Sequence, residues 1–153
     1  MPPTAEVVSA LIRRRESVCT VESLTGGLLC AHLTEVPGAS QVVRGGLVAY
    51  TIDAKRDVVC VDPSLLTAHG AVSSQAAVAL ADRARDIFGS TWALSTTGVA
   101  GPSEQEGKAI GTVFVAVAGP RSEVMSLHLS GDRQSIREQT CCRALELIRT
   151  CLE

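Results

Sequence analysis

The chain has 153 residues, 46% apolar and 20% charged, a balance that fits a single folded domain over 1–153 and excludes a disordered chain. Its formal net charge of -2 excludes the cationic footprint that a nucleic-acid backbone demands, so no nucleic-acid partner is expected. Aromatic residues make up only 3%, so the core must rest on Val, Leu, Ile and Ala, as a buried sheet allows.

Thr4 is a good N-cap, and Val7, Val8, Leu11 and Ile12 recur at helical spacing, which predicts a first helix over 4–15. Its Arg13-Arg14-Arg15 run, the one basic run of the chain, reads as a solvated helix end. The β-branched stretch 17–22 predicts a strand that leads into Glu22-Ser23-Leu24-Thr25-Gly26-Gly27. A second helix is expected over 28–33, stopped by Pro37-Gly38. A strand over 42–50 contains Gly45-Gly46, which suggests a bulge or a close approach there. Asp53 to Val59 predicts a short helix or turn, and Asp62-Pro63 opens another.

Ser73 or Ser74 can cap a helix over 75–88 that Gly89 ends. Residues 92–97 predict a strand running into Gly98-Val99-Ala100-Gly101-Pro102, and 111–118 predict another. Residues 123–129 alternate and form its expected hairpin partner after the Gly119-Pro120 turn. Asp132 caps a last helix to about 152. Strands interleaved with helices, with one late hairpin, predict an α/β protein: a three-layer α/β/α domain on a mixed β-sheet.

Six cysteines are present, but they lie in apolar runs or on the last helix, and none forms C-x-x-C. Free, mostly buried thiols in a cytoplasmic protein are the expectation. The three histidines (His32, His69, His128) show no metal-ligand spacing, so no metal is expected. The first residues lack a signal-peptide core, and no apolar run reaches membrane-spanning length, so no membrane partner is expected.

In open α/β sheets ligands bind beyond the carboxyl ends of strands. Two such ends carry small, glycine-rich turns, at 22–27 and at 96–101, whose N–H groups can receive an anion or an oxyanion. Ser23 sits where either a nucleophile or a simple helix cap belongs. The G-x-S-x-G elbow is absent, because Val21 and Thr25 occupy its glycine positions, and S-x-x-K fails at Gly26. None of the three histidines has an acid at a telling spacing. Lysine is the alternative base, and Lys55 follows the strand ending at Tyr50; desolvation would make it partly neutral, whereas a surface position would leave it an ordinary cation.

A phosphate loop fails, since five residues separate Gly101 from Gly107-Lys108 and Ala109 replaces its Ser or Thr. Arg133 and Arg137 open the last helix, where a cation opposes the helix dipole. An anion contact is one reading, a salt bridge to Asp132 or Glu138 the other.

Taken together, these segments resemble the CinA C-terminal-domain family, whose well-studied members are nicotinamide mononucleotide amidases. The resemblance rests on Glu22-Ser23-Leu24-Thr25-Gly26-Gly27, Val36-Pro37-Gly38-Ala39-Ser40, Arg44-Gly45-Gly46-Leu47-Val48-Ala49-Tyr50 and Asp53-Ala54-Lys55. His69-Gly70-Ala71-Val72-Ser73, Thr97-Gly98-Val99-Ala100-Gly101-Pro102, Gly111-Thr112-Val113 and Gly131-Asp132-Arg133 follow in the family's order. It implies a stand-alone amidase in which Ser23 attacks the nicotinamide carboxamide, Lys55 acts as base, and Tyr50 orients or shares the proton. Amides of the Gly26-Gly27 turn, beside Thr25, would form the oxyanion hole. Arg133 and Arg137, with Thr97, Gly98, Ala100 and Gly101, would hold ribose and phosphate.

The resemblance further implies a small-molecule nucleotide substrate, no metal or organic cofactor, and a homo-oligomer, with a dimer as the simplest form. An amidase acting on another small carboxamide and a non-catalytic competence- or damage-linked ligand-binding module are the rivals. Ser103 to Lys108 departs from the longer glycine-rich stretch of many family members, which places differences in substrate closure or preference in that loop.

Overall fold

A computed structural model describes residues 2–153. Five strands form one sheet in the order β2-β1-β3-β4-β5: β1 (Val18–Glu22), β2 (Val43–Val48), β3 (Trp92–Gly98), β4 (Thr112–Ala118) and β5 (Glu123–His128). β1 runs parallel to both β2 and β3, whereas β4 is antiparallel to β3 and β5, so the sheet is mixed.

The helices divide between the two faces. α1 (Thr4–Arg14), α2 (Leu28–Thr34) and α6 (Arg133–Leu152) cover one, burying Leu11, Leu29, Leu33, Ile136, Leu145 and Ile148 with Val18 and Leu94. α3 (Ile52–Asp57), α4 (Pro63–His69) and α5 (Ser74–Phe88) cover the other, where alanines 76, 77, 81 and 84 pack on Cys19, Val21, Ala93 and Ala116. Small residues let α5 approach the sheet closely, while the opposite face is filled by Leu and Ile. Because β1 is covered on both faces, all five of its residues are buried. Alternate side chains point opposite ways along it.

The expected elements are all present, with shifted ends. Thr4 is the first helical residue of α1, preceded by Pro3 at the N-cap with no side-chain cap bond. Asp62, Ser73 and Asp132 cap α4, α5 and α6 as expected, each accepting a backbone N–H. The β1–β2 register shifts just before the glycine pair, at Arg44, and Gly45 and Gly46 then pair regularly with Cys19 and Thr20. A Cβ at Gly46 would collide with Thr20 Oγ1, and one at Gly45 with the Phe88 ring.

β2 ends at Val48, two residues earlier than predicted. Ala49 still donates its N–H to the Glu22 carbonyl at 2.9 Å, which brings the start of α3 against the end of β1. All six cysteines are free; Cys19, Cys141 and Cys151 are buried, but Cys60 is exposed in a turn with φ of 64°. Burial pushes the Cys19 thiol up to about 11, which leaves it unreactive. Among the described residues no helix is long and apolar enough to cross a membrane.

Candidate active site

Ser23 follows the last residue of β1, and its N–H donates to the Thr96 carbonyl of the neighbouring strand at 3.1 Å. It is not a helix cap. The N-cap of α2 is Gly27, four positions on and without a side-chain cap bond. The Ser23 side chain instead turns to the α3 face, where Lys55 Nζ donates to its Oγ at 2.9 Å. Lys55 projects from the second turn of α3, a helix started by Thr51, whose side chain accepts the Ala54 N–H.

Lys55 is only 2% exposed. Its Nζ also donates to the carbonyls of Ala49 (2.9 Å) and Tyr50 (3.5 Å), so protein oxygens receive all three donors. Among the described residues no carboxylate pairs with it. Desolvation therefore dominates and lowers its pKa to about 8, with the charge of Glu106 opposing the shift. At neutral pH roughly a tenth of such a lysine is unprotonated and able to take a serine proton.

A cavity of about 100 Å³ opens over this pair, lined by Ser23, Tyr50, Lys55 and Arg133, by the 71–72 and 97–101 segments, and by Ser103 and Gln105. A larger groove of about 570 Å³ lies between α1 and α6, beside Ser9, Arg13 and Arg149. It contains no nucleophile–base pair, so size does not decide which depression is the site.

The structure brings together Ser23, Lys55, Tyr50, Thr97, Gly98, Ala100, Gly101 and Arg133 around one cavity. Within it, two of the implied roles are redistributed. The Tyr50 hydroxyl accepts from Arg133 Nη2 at 2.7 Å, and it is the Tyr50 carbonyl that faces Lys55. The Thr97 hydroxyl donates to the Ala71 carbonyl at 2.7 Å, so Thr97 holds the neighbouring segment in place. Arg133, exposed at the mouth, also donates to the Gly101 carbonyl at 2.6 Å.

Thr25, Gly26, Gly27 and Arg137 lie outside the lining of this cavity. The Gly26 N–H is taken by the Ser23 carbonyl at 3.1 Å, so it cannot serve as an oxyanion donor in this geometry. Thr25, fully buried, donates to Glu22 Oε1 at 2.7 Å and lies 2.8 Å from Thr96 Oγ1. Arg137 makes no salt bridge to Asp132 or Glu138. Its guanidinium donates to the carbonyls of Leu24 and Thr25, both at 3.0 Å, and clamps the turn from behind.

Glu22 is a site residue that no motif spacing marks. Its carboxylate, 1% exposed, accepts from Thr20 Oγ1, Thr25 Oγ1 and the N–H groups of Leu29 and Cys30 at 2.7–3.2 Å. The first turn of α2 therefore holds an anion supplied by the chain itself. An acidic residue directly before a small-residue turn and a helix was the available signal.

The fold and site define an α/β protein with a desolvated serine–lysine pair at a parallel strand end. The model of the CinA C-terminal domain matches residues 2–152, and the chain belongs to that family. A CinA-like protein of Frankia casuarinae is 46% identical over 147 residues, covering 95% of this chain and 34% of the relative. One from Anaeromyxobacter is 47% identical over 148 residues, covering 95% and 36%. The chain thus spans about a third of the length of these curated relatives.

Among solved structures, the competence/damage inducible protein CihA of Agrobacterium tumefaciens superposes with a TM-score of 0.92 at 35% identity, covering 97% of this chain and 92% of that one. A CinA superfamily protein of Klebsiella pneumoniae gives 0.94 at 30% identity, covering 97% and 94%.

Proposed function

We propose that the chain hydrolyses the carboxamide of nicotinamide mononucleotide, giving nicotinate mononucleotide and ammonia, with Ser23 as nucleophile and Lys55 as base. The observation that carries this reading is the 2.9 Å Lys55 Nζ–Ser23 Oγ contact in a buried setting where, among the described residues, the lysine has no carboxylate partner. The family resemblance of the Ser23, Tyr50 and Lys55 motifs supplies the substrate.

The chemistry is acyl transfer. Neutral Lys55 takes the Ser23 proton as Oγ bonds to the amide carbon, and charge develops on the amide oxygen. Leu24, Ala100 and Gly101 line the cavity, and their backbone N–H groups are the proposed donors to that charge, a role usually worth about 3 kcal/mol per donor. Protonated Lys55 returns the proton to the leaving nitrogen as the C–N bond breaks, and ammonia departs. Water then attacks the ester as Lys55 takes its proton, Lys55 passes that proton to Oγ as the C–Oγ bond breaks, and the product leaves as the carboxylate after losing its acid proton to solvent.

A volume of about 100 Å³ is below the ~300 Å³ at which pockets begin to enclose whole ligands. It suits the carboxamide and part of its ring, with ribose and phosphate across the mouth beside Arg133.

Ammonia release from nicotinamide mononucleotide is the deciding measurement. Wild type is expected to turn over, and Ser23→Ala to lose about a thousandfold or more with its fold intact. Equal rates for the two proteins would remove Ser23 as nucleophile. Turnover of another small carboxamide but not of this nucleotide would transfer the same chemistry to a different substrate, and absence of any amide turnover would favour a binding module.

A further inference from the structure

The segment 103–108, where the chain departs from the family pattern, is tied to the His69–Ser73 segment by a set of contacts that the reaction above does not use. Gln105 and Lys108 bridge through their backbones, N–H to carbonyl in both directions, around Glu106 and Gly107. Both turn residues have positive φ, 54° and 70°. Glycine tolerates that conformation; a glutamate there is strained, which asks for a compensating contact.

The compensation is visible. Glu106 Oε1 accepts the Ala71 N–H at 3.0 Å and Oε2 the Val72 N–H at 3.1 Å. Lys108 Nζ donates to the Val72 carbonyl. Gly70 has φ of 77°, and a Cβ there would stand 2.5 Å from Glu106 Oε2, so the glycine also clears room for the carboxylate. Thr97 and Ser73 hydroxyls secure the Ala71 and Gly70 carbonyls from the other side.

We propose that Glu106 is a positioning residue: its carboxylate latches the 103–108 loop onto the Ala71 and Val72 amides, closing one wall of the Ser23 cavity and turning a negative charge toward Lys55. The proposal rests on the reading of Ser23 and Lys55 as the reacting pair and deepens it. Both joined segments line the same cavity, through Ala71 and Val72 on one side and Ser103 and Gln105 on the other.

The latch also carries an electrostatic consequence. Glu106 is the charge that raises the Lys55 pKa against the desolvation lowering it. The other ionisable groups at the cavity are Tyr50 and Arg133, and α3 itself carries Asp53, Arg56 and Asp57, whose charges pair with one another at the surface. Removing the Glu106 carboxylate should therefore move the Lys55 titration to lower pH and free the loop in one step.

The chain contains only two lysines, Lys55 and Lys108, so ¹³C-lysine labelling gives two Cε signals, assigned with Lys108→Arg. Lys55 titration and hydrogen exchange at Ala71 and Val72 are to be followed in wild type, Glu106→Gln, Glu106→Asn and Glu104→Gln. Asparagine suits the left-handed turn position, so that variant keeps the turn while shortening and neutralising the side chain.

In both Glu106 variants the Lys55 midpoint is expected to fall by about half a pH unit and both amides to exchange roughly tenfold faster, while Glu104→Gln matches wild type. An unmoved midpoint, unchanged amide protection, or an equal response in Glu104→Gln would overturn the latch. Neither readout needs turnover. Failure of the amidase reading would show as absent ammonia release beside an intact latch, and failure of the latch as the reverse.

Discussion

The two glycine-rich strand ends, 22–27 after β1 and 98–101 after β3, look alike as short stretches of small residues, yet they do opposite things. The first is filled by its own chain: Glu22 occupies the amides that open α2, Gly26 donates to Ser23, and Arg137 clamps the Leu24 and Thr25 carbonyls. The second stays open and lines the cavity along Gly98, Val99, Ala100 and Gly101. A helix N-terminus is thus an anion site only when the fold has not already supplied the anion. The first turn provides rigidity and holds up a serine; the second provides space.

The sharpest way to break this comparison is to empty the first turn. Glu22→Ala leaves Thr20, Thr25 and the Leu29 and Cys30 N–H groups without their acceptor in a buried place. Urea unfolding is expected to show a loss of about 3 kcal/mol, at the upper end for a buried charged acceptor. A loss below about 1 kcal/mol would mean that water replaces the carboxylate and that the first turn is as open as the second.

Lys55→Met addresses the side of the comparison where function opposes stability. Lys55 has a folded pKa of about 8 against an ordinary value of 10.5, so between those values the unfolded chain binds more protons. Stability then rises with pH across that window, and the full penalty of the buried cation is present below about 8. The methionine variant is expected to be more stable than wild type by on the order of 2 kcal/mol at pH 7, with the advantage shrinking as pH rises, while amide hydrolysis is lost. Thermal unfolding at several pH values checks it. In wild type, the proposed hydrolysis should rise with pH through about 8, as the base loses its proton.

The smallest effect separates two arginines one helical turn apart. Arg133 faces the mouth of the cavity, whereas Arg137 holds the back of the first turn. Arg133→Ala is expected to raise KM about tenfold for nicotinamide mononucleotide and little for the riboside without phosphate. Arg137→Ala should instead lower stability by about 1 kcal/mol and shift both substrates alike. Equal discrimination by the two variants would return Arg137 to the substrate side.

The architecture was legible because it depends on local patterns. The alternating and near-continuous apolar runs placed each strand, and Asp62, Ser73 and Asp132 marked helix starts that the structure contains. Ser23 and Lys55 could be paired only through the resemblance, because the 32-residue separation between them has no periodic signature. What stayed hidden was hydrogen-bond satisfaction. Whether Gly26, Thr25 or Arg137 faces substrate depends on which donors Glu22 and the Ser23, Leu24 and Thr25 carbonyls have already taken, and that is a property of the assembled turn. The 103–108 loop stood out as a departure from the family pattern, but the partners of its Glu106 lie 34 and 35 residues away.

The change from parallel to antiparallel pairing at β3 sets how each strand end can vary. β1 must leave its turn through α2, whose packing fixes the turn's length. β3 and β4 are adjacent and antiparallel, and the Val99 and Gly111 N–H groups close the base of the intervening loop onto the Thr112 and Val99 carbonyls at 2.9 and 2.8 Å. Everything between is a hairpin excursion. Doubling its length costs only about 0.6 kcal/mol in closure entropy and leaves the strand register untouched. The outer wall of the cavity, beyond Gly101, is therefore interchangeable in a way that the serine's own support is not, and, if the proposed hydrolysis holds, grafting loops of other lengths between Gly101 and Gly111 is the economical route to other amide substrates on this scaffold.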